Sequence, residues 1–211
     1  MAHRDRVRGP ADPRSALRRT IAVEAARLIA EGGMRDFRQA KLKAGARLGV
    51  GEESSLPTNR EVEDALREHQ RLFQADSQPL HLRRLREAAT EAMRFFADFE
   101  PRLVGPVLEG TADAHSAVCL HLHADDPAAV LVRLAERGID YRERQRRLRL
   151  DPNHSEDCPA VRFDAGDAPI DLTILPLSRL HHAPLDRVDD RPMRRAPLAA
   201  VQALLDPPRA Q

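Results

Sequence analysis

The stretch RLVGPVLEGTADAHSAVCLHLHAD, residues 102–125, decides the fold that this sequence predicts. An apolar run at 103–108 ends at Glu109-Gly110-Thr111, and a short polar turn follows. A second run, at 117–122, alternates apolar and polar side chains. Two runs of this length around a glycine and small polar residues are typical of a strand–turn–strand unit.

The chain before this unit has helical periodicity. Apolar side chains recur at helical spacing from Ser15 to the stop at Gly32-Gly33, and a basic helix is predicted over 35–48. Thr58-Asn59-Arg60-Glu61 fits a capping box that opens a third helix, which ends near residue 73. A fourth helix is predicted over 79–100 and ends before Pro101.

The chain after this unit changes period again. We predict a helix over 128–137, a strongly basic strand over 139–150 and a polar loop over 151–159. Two strands follow at 160–164 and 169–175, and a last helix is predicted over 196–205. The predicted class is α+β, with an N-terminal helical segment followed by a mixed β-sheet backed by helices. The expected parts are a flexible tail (1–13), a helical region (14–100), an α/β core (101–178) and a C-terminal tail with one helix (179–211).

Composition and charge exclude several classes of protein. The net charge is +1, which favours neither a general nucleic-acid binder nor an acidic one, although residues 1–50 hold 12 basic and 5 acidic side chains. Cys119 and Cys158 are too few for a disulfide framework, and no apolar run approaches the ~20 residues of a membrane span. P-loop, nucleophile-elbow and His-Glu-x-x-His motifs are absent. We therefore expect a soluble cytoplasmic protein without a membrane partner.

The strand–turn–strand unit resembles the signature of the nucleotidyltransferase superfamily, which has the DNA polymerase β-like fold. In that signature a Gly-Ser pair precedes Ser-Asp-hydrophobic-Asp-hydrophobic. The matching residues here are Gly110-Thr111 and Ser116-Ala117-Val118-Cys119-Leu120. A third carboxylate of the family lies in a hydrophobic-Asp-hydrophobic triplet, where this chain has Ile170-Asp171-Leu172. The resemblance covers about half the chain and implies a nucleotidyltransferase-like core.

Two of the family's three metal-binding carboxylates are missing, because Ala117 and Cys119 occupy their positions. In the family these carboxylates hold two divalent metals, which neutralise a triphosphate and align the attacking and leaving oxygens. Alanine offers no ligand, and cysteine is poorly matched to Mg²⁺. The resemblance therefore implies Asp171 as the retained catalytic and metal-binding residue. It implies Mg or Mn as the cofactor of an active enzyme, and no cofactor otherwise.

Other residues are candidates for the missing ligands. Asp113, Asp125 or Glu109 could supply a relocated catalytic carboxylate, although each is also typical of a turn or a cap. A zinc-like ion is a second possibility, with three permitted ligand types at Asp171, Cys119 and His121. The alternative for His121 and its neighbour His123 is a polar sheet face under solvent.

Phosphate binding is predicted at the turn and at the basic strand. The Gly-Ser turn of the family cradles the triphosphate, which implies this role for the turn here. Side chains at alternate positions of the basic strand point the same way, and guanidinium groups bind phosphate through paired hydrogen bonds. The candidates are Gly110, Thr111, Ser116, Arg142, Arg144 and Arg146. An exposed edge strand protected by charge against aggregation is the alternative for the arginines.

Three functions stay open at this point. The first is a catalytically degenerate nucleotidyltransferase-like protein that binds a nucleotide, RNA or a protein partner. The second is an active metal-dependent nucleotidyltransferase with relocated acidic ligands. The third is a non-enzymatic structural or interaction protein that docks through its helical half.

Overall fold

The computed structural model describes residues 13–34, 36–50, 55–186, 188 and 190–206. Within these residues, seven α-helices and a five-stranded mixed sheet confirm the predicted α+β class. The helices are α1 (Pro13–Ala30), α2 (Phe37–Arg47), α3 (Asn59–Phe73), α4 (Gln78–Phe95), α5 (Pro106–Glu109), α6 (Ala128–Glu136) and α7 (Leu198–Leu205). The strands are β1 (Arg102–Val104), β2 (Val118–His123), β3 (Arg142–Asp151), β4 (His154–Ala165) and β5 (Ala168–Leu175). No helix in these ranges has both the length and the apolar character needed to cross a bilayer.

The chain forms two compact units, one that ends at Phe73 and one that begins at Gln74. The first contains α1, α2 and α3, which bury a small core that includes Ile21, Ala25, Leu28, Ala40, Ala44 and Val62. The second contains the sheet and the other helices. Helix α4 belongs to this second unit, whereas the sequence grouped it with the N-terminal helices. Its Leu85, Ala89 and Met93, and Phe96 directly after it, share one core with strand residues, which the sequence of α4 alone does not reveal.

The sheet has the order β1-β2-β5-β4-β3. Strands β2 and β5 are parallel, and the other neighbouring pairs are antiparallel. One edge strand, β1, is bridged at Leu103 by Ala196, and the other edge strand is β3. The predicted basic strand is therefore an edge strand, as the alternative interpretation of its charges expected.

One face of the sheet packs on helices, and we call it the helix-covered face. Its core is formed by alternate residues of three neighbouring strands: Val118, Leu120, Leu122, Ile170, Leu172, Ile174, Val161 and Phe163. These side chains share a core with Met93 of α4, with Phe96 at its C-cap, and with Val130 and Leu134 of α6. Full burial of one such side chain contributes about 1.5–3 kcal/mol. This layer therefore fixes which face of each strand points away from the helices.

The structure corrects the prediction for residues 103–108. Only Arg102–Val104 is a strand. Gly105 then has a φ of 71°, a conformation that glycine adopts without strain, and the short helix Pro106–Glu109 follows. Proline suits the first position of a helix, because its missing N–H would have no partner there. The strand therefore ends at Val104, four residues before the end of the apolar run from which the strand was predicted.

The structure also corrects the prediction of a polar loop over residues 151–159. The turn is confined to Pro152 and Asn153, and β4 begins at His154. Residues up to Pro159 pair with β3 in an antiparallel register. The polar composition of these residues predicted a loop. They form a strand because pairing with β3 outweighs their weak intrinsic preference for strand structure.

The chain after β5 crosses the sheet, and we call residues 176–196 the C-terminal strap. At one edge the N–H of Leu185 donates to the carbonyl of Arg149 on β3 at 2.7 Å. At the other edge Ala196 and Leu103 exchange backbone hydrogen bonds of 3.0 and 2.9 Å. Between these ends the strap covers part of the face opposite the helices, where His121, His123 and Thr173 are buried.

The capping box predicted at the start of α3 is confirmed. Oε2 of Glu61 accepts from the N–H of Thr58 at 2.7 Å, and the N–H of Glu61 donates to Oγ1 of Thr58 at 3.2 Å. We expect Thr58→Ala to lower the free energy of unfolding of the first unit by about 0.5–2 kcal/mol. Urea denaturation followed by circular dichroism measures this loss. Thr58→Ser keeps the hydroxyl and should lose far less, and equal losses would contradict the role of the cap.

Candidate functional site

The face of the sheet opposite the helices carries polar side chains in register. Cys119 of β2 lies beside Asp171 of β5. Asp171 lies beside Arg162 of β4, which faces Arg142 of β3. We call this surface the polar face; its polar side chains include those of Cys119, His121, His123, Asp171, Thr173, Arg162, Arg142, Arg144 and Arg146.

Asp171 forms a salt bridge with Arg146 on this face. Nη2 of Arg146 lies 2.6 Å from Oδ2 of Asp171, and Nη1 donates to Oγ1 of Thr173 at 3.2 Å. The Asp171 side chain is 11% exposed, and a carboxylate this deep requires a charged or hydrogen-bonding partner. The carboxylate that the family resemblance singles out is therefore already neutralised by a guanidinium from the same sheet.

Three further guanidinium groups lie on the polar face. In the described part of the chain, Arg142, Arg144 and Arg162 have no hydrogen-bond or ion-pair partner. Arg142 and Arg162 are directly opposite each other on β3 and β4. Like charges in that position destabilise a sheet. Asp164 and Glu156 share this face of β4, and neither pairs with these arginines.

Arg195 of the strap sets the tautomer of His123. Nη1 of Arg195 lies 3.3 Å from Nε2 of His123, and Nδ1 of His123 lies 2.9 Å from the carbonyl oxygen of Glu100. A guanidinium only donates, so Nε2 accepts and Nδ1 donates, as in a neutral imidazole. Burial, together with the charge of Arg195, lowers the pKa of His123. Arg195 also donates to the carbonyls of Arg179 and Leu180, which anchors the strap.

His121 is buried on the same face and is 2% exposed. Its Nδ1 has no hydrogen-bond partner among the described residues. Burial lowers the pKa of His121 to about 3, and the charges of Arg195, His123 and Arg146 act in the same direction. The imidazole is therefore neutral at physiological pH.

The zinc-like site predicted at Asp171, Cys119 and His121 does not assemble. The three residues lie on neighbouring strands of one face, but the described residues contain no group of three or more His, Cys, Asp or Glu arranged to hold a metal ion. Cys119 is a half-buried thiol whose Sγ lies 3.6 Å from the carbonyl oxygen of Ala117. Asp171 pairs with Arg146, so the predicted zinc set is not formed among the described residues, and Mg or Mn as the cofactor of an active enzyme stays a prediction.

The backbone N–H groups of the predicted phosphate-binding turn already donate hydrogen bonds within the turn. The N–H groups of Gly110, Thr111 and Ala112 donate to the carbonyl of Pro106. The carbonyls of Gly110 and Ala112 both accept from Nε2 of Gln78 on α4, each at 2.9 Å. Strand β2, which follows this turn, is three strand spacings from β3, about 14 Å. The structure therefore does not bring Gly110 and Thr111 together with Arg142 and Arg144.

Asp113 and Ser116 close a turn on each other. The N–H of Asp113 donates to Oγ of Ser116 at 3.0 Å, and that hydroxyl donates to Oδ1 of Asp113 at 3.0 Å. Oδ1 also accepts from the N–H of His115. Asp113 is therefore a buried turn residue rather than a carboxylate directed towards Asp171.

The two other candidates for a relocated carboxylate are also engaged. Oδ1 of Asp125 accepts from the N–H of Leu177 at 3.0 Å, at the start of a short 3-10 helix. Oε2 of Glu109 lies 2.8 Å from Nη1 of Arg194. Both side chains hold parts of the strap in place.

Sequence reasoning did not single out Arg162 or Arg195. Arg162 lies in the middle of a predicted strand, and strand alternation could have placed it on the same face as Ala160. Arg195 follows a long polar stretch without periodicity, and no local signal indicates that it reaches His123. A chain segment that crosses a sheet is revealed only by tertiary structure.

Comparison of the chain with protein-family models, with curated proteins and with solved structures finds no match. The resemblance to nucleotidyltransferases therefore stays a prediction. The site has to be interpreted from its own geometry.

Opposed arginines on β3 and β4 should reduce the stability of the unliganded protein. We expect Arg142→Thr to be more stable than Arg147→Thr by about 0.2–1 kcal/mol at low salt. Both changes replace an exposed arginine of β3, but Arg147 lies on the other face and pairs with Asp157 at 3.1 Å. Urea denaturation at low and high salt measures the difference, which should shrink as salt screens the charges. Equal stabilities at low salt would show that Arg142 and Arg162 facing each other do not lower the free energy of unfolding.

Burial of neutral His121 should make the fold sensitive to acid. Because its native pKa lies near 3 and an unfolded histidine has a pKa near 6.5, the unfolded state binds the extra proton between these values. Stability should therefore fall as the pH drops below about 6.5, and His121→Gln should make the slope shallower by about 1.4 kcal/mol per pH unit. Denaturation between pH 4 and 6 measures this slope. Thr173→Ser, a change beside His121 that adds no titrating group, should keep the original slope.

Proposed function

We propose that this protein binds the phosphates of a nucleotide on the open part of its polar face and does not transfer the nucleotide to an acceptor. The observation that carries this proposal is a set of three guanidinium groups, at Arg142, Arg144 and Arg162, that have no partner among the residues the structure describes. A sheet that places like charges opposite each other gains stability when an anion lies between them. The opposed pair Arg142 and Arg162, which destabilises the free protein, thus favours the bound one.

The spacing of these arginines suits a chain of phosphates. Directly opposite side chains in an antiparallel pair have Cβ atoms about 4.5–5.5 Å apart, so Arg142 and Arg162 can converge on one phosphate group. Arg144 lies two residues along β3, about 6.6 Å away, and can reach the next phosphate. Guanidinium groups bind phosphate oxygens through paired hydrogen bonds, which adds geometric selectivity to charge.

Binding without metal-dependent transfer is supported by the carboxylates of the face. Cys119 stands beside Asp171 where the family signature has a carboxylate, and Arg146 holds Asp171. Two-metal phosphoryl chemistry needs several carboxylate oxygens on one face. We therefore expect nucleotide binding to persist when EDTA removes divalent metals. Asp113 closes its own turn and gives no support to an active site with relocated ligands.

A nucleotide fits this surface better than single-stranded RNA does. Proteins that hold single strands stack successive bases on aromatic side chains beside a basic groove. The residues of the polar face include no Phe, Tyr or Trp. Phosphate contacts without stacking favour a small ligand with several adjacent charges.

The test measures nucleoside triphosphate binding by thermal shift and calorimetry, with and without Mg²⁺. A ligand at ~100 times its dissociation constant stabilises the native state by about 2.7 kcal/mol, which raises the melting temperature. Arg144→Ala should weaken binding roughly 10–100-fold, because a hydrogen bond to a charged group contributes about 1.5–3 kcal/mol. Arg147→Ala removes the same charge from the other face of β3 and should bind like the unmodified protein.

Three outcomes would overturn the proposal. The first is the absence of binding to any nucleoside triphosphate at low salt. The second is equal weakening by Arg144→Ala and Arg147→Ala, which indicates attraction to net charge alone. The third is metal-dependent incorporation of labelled nucleotide that Asp171→Ala abolishes.

A further inference from the structure

Strand β3 has an open outer edge. The carbonyl of Arg149 accepts a hydrogen bond from the N–H of Leu185 of the strap, which places this carbonyl on the outer side of β3. Both backbone polar groups of a residue in an antiparallel strand point to the same side, and the side alternates along the strand. The outward residues are therefore Glu143, Gln145 and Arg147.

The position of Pro159 agrees with this assignment. Pro159 lies opposite Gln145 and has no N–H to donate. Because opposite residues at this position are a pair without hydrogen bonds, the missing N–H of Pro159 removes no hydrogen bond between β3 and β4. In the described part of the chain, no backbone hydrogen bond reaches Glu143, Gln145 or Arg147 from outside the β3–β4 ladder.

The two sides of this edge differ in chemistry. On the polar face stand the exposed guanidinium groups of Arg142 and Arg144. On the helix-covered face an open groove of about 400 Å³ runs between α6 and the strands. Its lining includes the apolar residues Pro127, Leu131, Pro159, Val161 and Ile174, together with Glu143, Arg144 and Gln145 of β3. A strand added to this edge would therefore meet positive charge with one set of alternate side chains and an apolar groove with the other.

We propose that β3 binds an extended protein segment that alternates acidic and apolar residues, added as an antiparallel sixth strand. The outward N–H and carbonyl groups of Glu143, Gln145 and Arg147 hold its backbone. Its acidic side chains face Arg142 and Arg144, and its apolar side chains enter the groove beside Leu131. The strap already pairs with the same edge through Leu185 at Arg149, so the length that no described residue occupies is the part nearer the start of β3.

A second copy of this chain does not suit the edge. In an antiparallel pair, residues that are directly opposite share a face of the sheet. Two β3 edges paired with each other would therefore set arginines at 142, 144 and 146 against one another, and like charges in that position are destabilising. Charge complementarity instead selects an acidic segment.

The experiment uses a fluorescently labelled peptide of alternating Glu and Val and measures its binding to the full chain by fluorescence anisotropy. Valines that face the groove lie opposite the outward residues of β3, so their N–H groups bond to the protein. The glutamate N–H groups point away. N-methylation of the valines should weaken binding at least tenfold relative to N-methylation of the glutamates, although both peptides have the same composition.

A matched pair of variants tests the protein side. Gln145→Pro removes an outward N–H from an edge strand, a position where proline is tolerated, and should abolish peptide binding. Gln145→Thr keeps that N–H and should bind like the unmodified protein. Equal binding of the two methylated peptides, or full binding by a folded Gln145→Pro protein, overturns the proposal. The peptide comparison needs no variant, so it decides the matter even where Gln145→Pro does not fold.

This inference does not rest on nucleotide binding, and the two can fail separately. Gln145→Pro alters no guanidinium group, so it should abolish peptide binding and leave nucleotide binding unchanged. Arg144→Ala should weaken both ligands. Protection of the Gln145 amide from hydrogen exchange on addition of peptide, but not of nucleotide, is the expected direct readout.

Discussion

Side chains of a β-strand alternate between the two faces of its sheet, and this constraint organises the second unit of the protein. The helix-covered face takes Ile170, Leu172 and Ile174 from the central strand β5. The same alternation forces Asp171 and Thr173 into the middle of the opposite face, where both are buried. A buried carboxylate is costly unless it is paired. Arg146 supplies the pair from β3 by reaching past β4.

The arginines of β3 consequently have two different roles. Arg146 is part of the structure, because removing one partner of a buried ion pair leaves the other charge uncompensated. Arg142 and Arg144 have no such partner among the described residues, and Arg142 faces Arg162 across the sheet. An arrangement that opposes the stability of the free protein is easier to understand as a binding surface than as a stabilising one. A row of charges also protects an edge strand against aggregation, and that role is compatible with binding.

The strap divides the polar face into a closed and an open part. Arg195 bonds to His123 and to two strap carbonyls, and His121 is buried beside them as a neutral imidazole. The open part contains the arginines and the outer edge of β3. Among the described residues, the strap bonds to the backbone of that edge only at Arg149, so they pair with one portion of the edge and leave another uncovered. The accessible portion has backbone donors and acceptors, positive charge and an apolar groove within one strand width.

Much of the architecture follows from local pattern. Helical spacing predicted α1 to α4 and α6, and the Thr58 and Glu61 pair located the start of α3 because capping acts between residues three apart. Strand alternation correctly predicted that Arg142, Arg144 and Arg146 share one face, because it too depends only on residues close together in the sequence. Local pattern was insufficient at Gly105-Pro106, where a turn interrupts an apolar run, and over 154–159, where polar residues form a strand.

The sequence by itself determined which side chains share a face, because side-chain direction repeats every two residues along a strand and every 3.6 residues along a helix. Only the tertiary structure decided what each of them meets. Arg146 and Asp171 are 25 residues apart, and Arg195 and His123 are 72 apart. Such pairs depend on the strand order and on the path of the strap, which packing of the whole unit selects and no local stretch specifies.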